Sequence, residues 1–120
     1  MDSPTLSDNS RGTSQERPVV LALTTWPANG DPGMFAQALL EARLVACVSM
    51  LPGMRSLYRW QGRIEENAEI LLLLKTTADR VPLLREHMVS HHPYEVPELL
   101  VFPAGDGLPA YLDWVRGEVA

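Results

Sequence analysis

The spacing of apolar residues changes along the chain, and the changes mark out the elements. Val19 to Trp26 is a β-branched, apolar run closed by Pro27 and the turn-forming Ala28-Asn29-Gly30-Asp31, which predicts a buried strand. Asp31 before Pro32 reads as an N-cap and first-turn pair, because the carboxylate accepts orphan N–H groups and proline has none to lose. Phe35, Ala38, Leu39 and Ala42 then share one face of a helix expected to end near Arg43. Val45 to Leu51 is strand-like, is interrupted by Pro52-Gly53, and resumes from Met54 to Trp60; a proline–glycine pair inside a strand pattern predicts a bulge or bend. Gln61-Gly62-Arg63 is the expected tip of a hairpin whose second strand, Ile64 to Lys75, ends in the run Ile70-Leu71-Leu72-Leu73-Leu74. Thr76 to Asp79 offers N-caps for a second helix with Val81, Leu84 and Met88 inward. That helix should stop near His91, since the residue before Pro93 is pushed to extended geometry. Leu99 to Phe102 is a short strand, and Pro109 starts a last helix with Tyr111, Leu112, Val115 and Val119 inward.

This order predicts an α+β fold: a ferredoxin-like βαββαβ sandwich with a long β-hairpin arm and an extra C-terminal helix. Both main helices would lie on one face of the sheet. Ile70 to Leu74 is nevertheless apolar at every position, so side chains on the second face also call for burial. A strand of about twelve residues is also near 40 Å long, against a radius of gyration near 13 Å for a compact domain of about 100 residues. Unless two short strands stand in place of the long one, such an arm overhangs its own domain and must be paired with another copy, which predicts a homo-oligomer.

Composition narrows the class. The chain has 120 residues, enough for one domain with a core. Its first seventeen, residues 1–17, are rich in Ser, Asp and Asn with little to bury, and predict a disordered N-terminal tail ahead of a single domain over residues 18–120. Lys and Arg number 10 against 15 Asp and Glu, for a net charge of −5, and the basic residues are scattered, so nucleic acid is not the expected partner. One cysteine, Cys47, makes neither an internal disulfide nor a cysteine-rich zinc cage. No stretch is apolar for long enough to span a membrane, and the N-terminus does not read as a secretory signal, so a reducing, cytoplasmic setting is expected.

Few residues offer chemistry. His91-His92 is the most suggestive pair. Two imidazoles at a helix end can serve a divalent metal if the backbone leaves helical geometry between them, or they can satisfy the last helix carbonyls. Cys47, between Ala46 and Val48, reads as a small buried residue, and a Cys-His hydrolase would need a histidine within reach and an orienting group. Glu65, Glu66, Glu69 and Glu98 are not spaced for acid–base work, and no glycine-rich phosphate loop occurs. The chain is not expected to be an enzyme.

Four segments in order, Ala46-Cys47-Val48-Ser49-Met50-Leu51-Pro52-Gly53, Ser56-Leu57-Tyr58-Arg59-Trp60-Gln61-Gly62-Arg63-Ile64, Glu69 with Lys75-Thr76, and His91-His92-Pro93-Tyr94-Glu95-Val96-Pro97-Glu98, resemble the CutA divalent-cation tolerance proteins. The resemblance runs from Pro18 to Val119. It implies a ferredoxin-like subunit similar to the PII signalling proteins, a tight homotrimer joined through the hairpins, and tolerance to copper and other divalent cations. It attributes copper binding to a cysteine near the end of the first strand and to the histidine pair. His91 and His92 match the pair, whereas Thr24 stands at the cysteine position. Two imidazoles with an oxygen ligand suit Cu(II), Zn or Ni rather than Cu(I). The competing expectation is a PII-like signalling trimer that holds a small ligand in clefts between subunits lined by Trp60, Lys75, Tyr94 and Glu98.

Overall fold

The computed structural model describes residues 17–120, so the expected tail lies outside the described residues except for Arg17. Arg17 is anchored: its guanidinium donates to the carbonyls of Arg116 and Val119, and its own carbonyl accepts from Nε of Arg116. The elements are β1 (Val19–Pro27), α1 (Gly33–Glu41), β2 (Cys47–Trp60), β3 (Arg63–Thr77), a 3₁₀ turn (Ala78–Arg80) leading into α2 (Val81–His91), β4 (Leu100–Pro103) and α3 (Pro109–Glu118). The strands lie in the order β2-β3-β1-β4 and every pair is antiparallel, which is the ferredoxin-like arrangement.

Even-numbered positions of β1 and β3 face the helices. Ala22, Trp26, Leu72 and Leu74 pack with Phe35 and Leu39 of α1, Leu84 and Met88 of α2, and Leu44 and Val45 between α1 and β2. Two details at α1 differ from the sequence expectation. Pro32, not Asp31, occupies the cap, while Asp31 sits one residue outside it and accepts a hydrogen bond from Gly33 N–H at 2.9 Å. Ala42 is exposed because the helix stops at Glu41, and Ala36 takes the inward place instead. The stop is a Schellman motif: Arg43 has φ 56°, its N–H reaches Leu40 O, and Leu44 N–H reaches Leu39 O. Leu39 and Leu44, both buried, supply the apolar contact that accompanies the motif.

The hairpin turns through Gln61 (φ 51°) and Gly62 (φ 81°), the positive-φ pair that a two-residue loop between twisted strands requires. Its strands are 14 and 15 residues long, and the molecule measures 53 × 26 × 23 Å with a radius of gyration of 16.5 Å. A compact chain of this size would have a radius near 13 Å, and the excess is the arm.

Odd-numbered positions of β1 and β3 form the second face, and among the described residues no helix covers its centre. Leu21, Leu23, Leu71 and Leu73 lie there beside their cross-strand partners Leu51, Leu100 and Phe102, whose exposures are 60%, 51% and 45%. The C-terminal helix α3 does not fill this gap. It packs where β1 begins and β3 ends, with its last carbonyls bonded by Arg17, Arg43 and Arg80. Cations at a helix C-terminus are favourable there on both dipole and hydrogen-bonding grounds. Only Val115 and Val119 of its expected inward set are fully buried; Tyr111 turns outward beside Trp114.

Candidate functional site

The expected bulge at Pro52-Gly53 sets which side chains of β2 line a groove beside the hairpin. Leu51 pairs with Leu71 and Met54 with Glu69, so β2 spends three residues where β3 spends two. Before the bulge, odd positions of β2 share a face with odd positions of β3; after it, even positions do. Tyr58 and Trp60 thereby point to the same side as Asn67 and Glu69. With Thr25, Ser56, Leu57 and the segment Tyr94-Glu95-Val96 and Glu98, they line a groove of about 560 Å³.

The chain after α2 closes one end of this groove, and His92 positions it. Pro93 forces His92 out of helical geometry (ψ 142°), as the sequence requires. Its ring enters the core beside Trp26, Phe35 and Tyr94, at centroid distances of 4.9, 6.1 and 5.1 Å. Nε2 lies 2.7 Å from the carbonyl of Thr25, which stands beyond the last β1 residue paired with β4. Nδ1 accepts the backbone N–H of Tyr94 at 3.1 Å. A carbonyl only accepts and a backbone N–H only donates, so the tautomer is settled: neutral, with the proton on Nε2. Burial holds this imidazole below its ordinary pKa, against the raising effects of the Thr25 carbonyl and the Glu69 charge. The ordered turn then sends the Tyr94 hydroxyl to Glu69, donating to Oε2 at 2.7 Å. Burial first, and then this bond to Glu69, raise the tyrosine pKa.

Trp60, Tyr94 and Glu98 therefore meet along one groove, whereas Lys75 does not join them within the chain. It lies six residues along β3 from Glu69, about 20 Å at strand spacing. There it faces the open side of the sheet in register with Leu21 and Cys47. Its ammonium donates to Ser49 Oγ at 2.6 Å and stands 3.6 Å from Cys47 Sγ. The partners of Cys47 are thus a lysine and a serine. Tyr58, Asn67 and Glu69 are groove residues that sequence reasoning missed, because the face they occupy depends on where the one-residue shift falls.

The histidine pair is split. His92 is buried with both ring nitrogens engaged and has no lone pair to offer a metal in this arrangement. His91 is exposed, with Nδ1 3.2 Å from His87 O and its ring stacked on that of His87 at 4.2 Å. Thr24, fully buried, directs its hydroxyl toward Met88 Sδ at 3.9 Å inside the core. Thr24, His91 and His92 do not form one ligand set. Among the described residues no group of three or more His, Cys, Asp or Glu side chains is disposed to hold a metal ion. His87 was also missed, although its signal is in the sequence: His87 and His91 are four apart in a helix, the spacing that puts two imidazoles on one face.

A family model described as CutA1 divalent ion tolerance protein matches residues 20–118. The divalent-cation tolerance protein CutA of Thermus thermophilus is 46% identical over 96 residues, which are 80% of this chain and 93% of that protein. A solved structure of the Thermus thermophilus protein superposes with a TM-score of 0.81 at 43% identity, covering 85% of this chain and 99% of that one. The structure of a PII-like CutA from Nostoc gives 0.77 at 33% identity, covering 84% and 97%. A protein from Archaeoglobus fulgidus described as a periplasmic divalent cation tolerance protein gives 0.80 at 29% identity, covering 85% and 99%.

Proposed function

This chain belongs to the CutA1 divalent ion tolerance family, and from that premise we propose that it is a homotrimeric, cytoplasmic protein of metal homeostasis that binds copper or another divalent cation without catalysing a reaction. The observation that carries the cation reading is His91, an exposed imidazole at the end of α2 whose Nδ1 is turned to a backbone carbonyl. A carbonyl partner makes Nδ1 the donor, which leaves Nε2 with a lone pair facing solvent. The unpaired Cys47 thiol supports a reducing compartment.

Self-assembly is supported by the open sheet face and the arm. Leu51, Leu100 and Phe102 are exposed beside a row of leucines, an apolar area larger than isolated surface residues make. A second copy of this chain offers the same apolar chemistry. Calorimetric titration with Cu(II) tests the binding, with wild type expected to bind and His91→Ala to bind at least tenfold more weakly; equal affinities would remove His91 from the site. Light scattering should give about three times the 13.3 kDa of one chain, and a monomer at micromolar concentration would contradict the assembly.

A second reading has its own support in the groove. Trp60, Tyr94 and Glu98 line a volume of about 560 Å³, large enough for a small organic ligand. In a PII-like signalling trimer such a groove would be completed across a subunit boundary, with Lys75 supplied by a neighbouring copy. A thermal-shift screen against nucleotides and small anions separates the readings, since a ligand held in the groove raises the melting temperature of wild type but not of Trp60→Ala.

A further inference from the structure

We propose that the divalent cation is held by His87 together with His91, a two-imidazole site on the outer side of α2, and not by the neighbouring pair His91 and His92. The proposal rests on the cation-binding reading above and names its ligands. Residues four apart on a helix stand one above the other on the same face, which brings the two ring centroids within 4.2 Å; the rings are stacked at 20° in the free protein, so binding turns them about their side-chain torsions until both lone pairs meet at one ion. Adjacent residues diverge: the turn forced by Pro93 carries His92 into the core while His91 stays in solvent.

Hydrogen bonding distinguishes the three rings. Both nitrogens of His92 are engaged, by the Thr25 carbonyl and the Tyr94 N–H. His91 donates from Nδ1 to the carbonyl of His87, leaving Nε2 to ligate. An imidazole that gives its other N–H to a backbone carbonyl is oriented as most histidine metal ligands are. His87 is half-buried and braced by Phe35 at 5.7 Å, and its ring nitrogens have no hydrogen-bond partner among the described residues. Two imidazoles on one helical turn leave the other coordination positions to water, and Cys47 is committed elsewhere, to Lys75 and Ser49. Such a donor set takes borderline divalent ions, with Cu(II) bound more tightly than Ni(II) or Zn(II).

The test is Cu(II) titration of the full chain with His87→Ala, His91→Ala and His92→Gln beside wild type, read by calorimetry and by electron paramagnetic resonance. The expected result is one Cu(II) per chain with two coordinated imidazole nitrogens. His87→Ala and His91→Ala should each lose at least tenfold in affinity and retain one nitrogen, and His92→Gln should change affinity less than threefold. Wild-type binding that survives His87→Ala unchanged overturns this assignment and leaves the cation reading standing. Absence of imidazole-bound Cu(II) in wild type overturns both. If His92→Gln proves unstable, the nitrogen count of His87→Ala decides alone: two nitrogens in that variant overturn the proposal.

Discussion

At the scale of single residues, the histidines show how far burial outranks residue type. His91 and His92 are adjacent and chemically identical, yet one is a solvent-facing base and the other a structural wedge. The sequence carried the cause, Pro93, but not the outcome, since the partners of His92 come from Thr25, sixty-seven positions away, and from Tyr94. The consequence is a pH dependence with a definite sign. His92 and His87 both have pKa values lowered from 6.5 on folding, His92 by burial and His87 by burial and then the nearby His91. The unfolded chain therefore binds more protons near that value, so their contribution to stability is complete above about pH 6.5 and is lost as pH falls toward the folded-state values. Urea midpoints should fall between pH 7.5 and 5.5, and His92→Gln, which keeps a donor but does not titrate, should flatten the fall; an unchanged slope would show that protonation of His92 is not its cause. Arg43 makes a second residue-scale prediction. A left-handed C′ position favours glycine, so Arg43→Gly should stabilise by about 1 kcal/mol, less the small contribution of its exposed bond to Glu118 O, and calorimetric melting should rise. A lower melting temperature would mean that the Glu118 bond outweighs the strain.

At the scale of elements, the bulge in β2 decides which side chains can form a site. Gly53 has φ 86°, and a Cβ at this position would have no neighbour within 4 Å among the described residues, so a side chain there meets backbone strain alone. Gly53→Ala should cost roughly 1–2 kcal/mol in denaturant unfolding, with the groove intact. Deleting Gly53 should act differently: with one residue fewer, Pro52 opposes Ile70 in an unbroken ladder, the bend is lost, and Tyr58 and Trp60 keep their partners Glu65 and Arg63. Nuclear Overhauser contacts between the Tyr58 and Asn67 side chains, now bonded at 2.6 Å, should persist in this variant; their loss would mean that the distal half of β2 slips by one residue when the bulge is removed. The existence of the bulge was legible, because proline cannot donate to the ladder and glycine permits the bend. Its effect on facing was not, because parity depends on whether the insertion is one residue or two. The same limit applied to α3, whose period was visible while the side it presented was settled by contact with β1 and β3.

At the scale of the whole molecule, the open face should govern assembly. Leu100 is 51% exposed within one chain, so Leu100→Glu has little to disturb there, whereas a carboxylate pressed into an apolar interface between copies is costly. Light scattering should show this variant at lower mass than wild type with unchanged secondary structure by circular dichroism. Retention of the full assembly would indicate that copies join elsewhere, through the arms alone.

What the sequence determined by itself was local and periodic: the element order, the ferredoxin-like class, the bulge, the hairpin tip and the surplus of apolar side chains that one layer of helices cannot cover. These follow from spacing, from proline and glycine stereochemistry, and from counting what must be buried. Tertiary structure alone decided which residues meet. Within one chain Lys75 lies across the open face beside Cys47, away from Trp60, Tyr94 and Glu98, with which it was expected to line a cleft between subunits. His92 was expected with His91, yet turns to Thr25. Both outcomes depend on register and on hydrogen-bond partners distant in the chain, and neither is encoded in the spacing of the residues themselves.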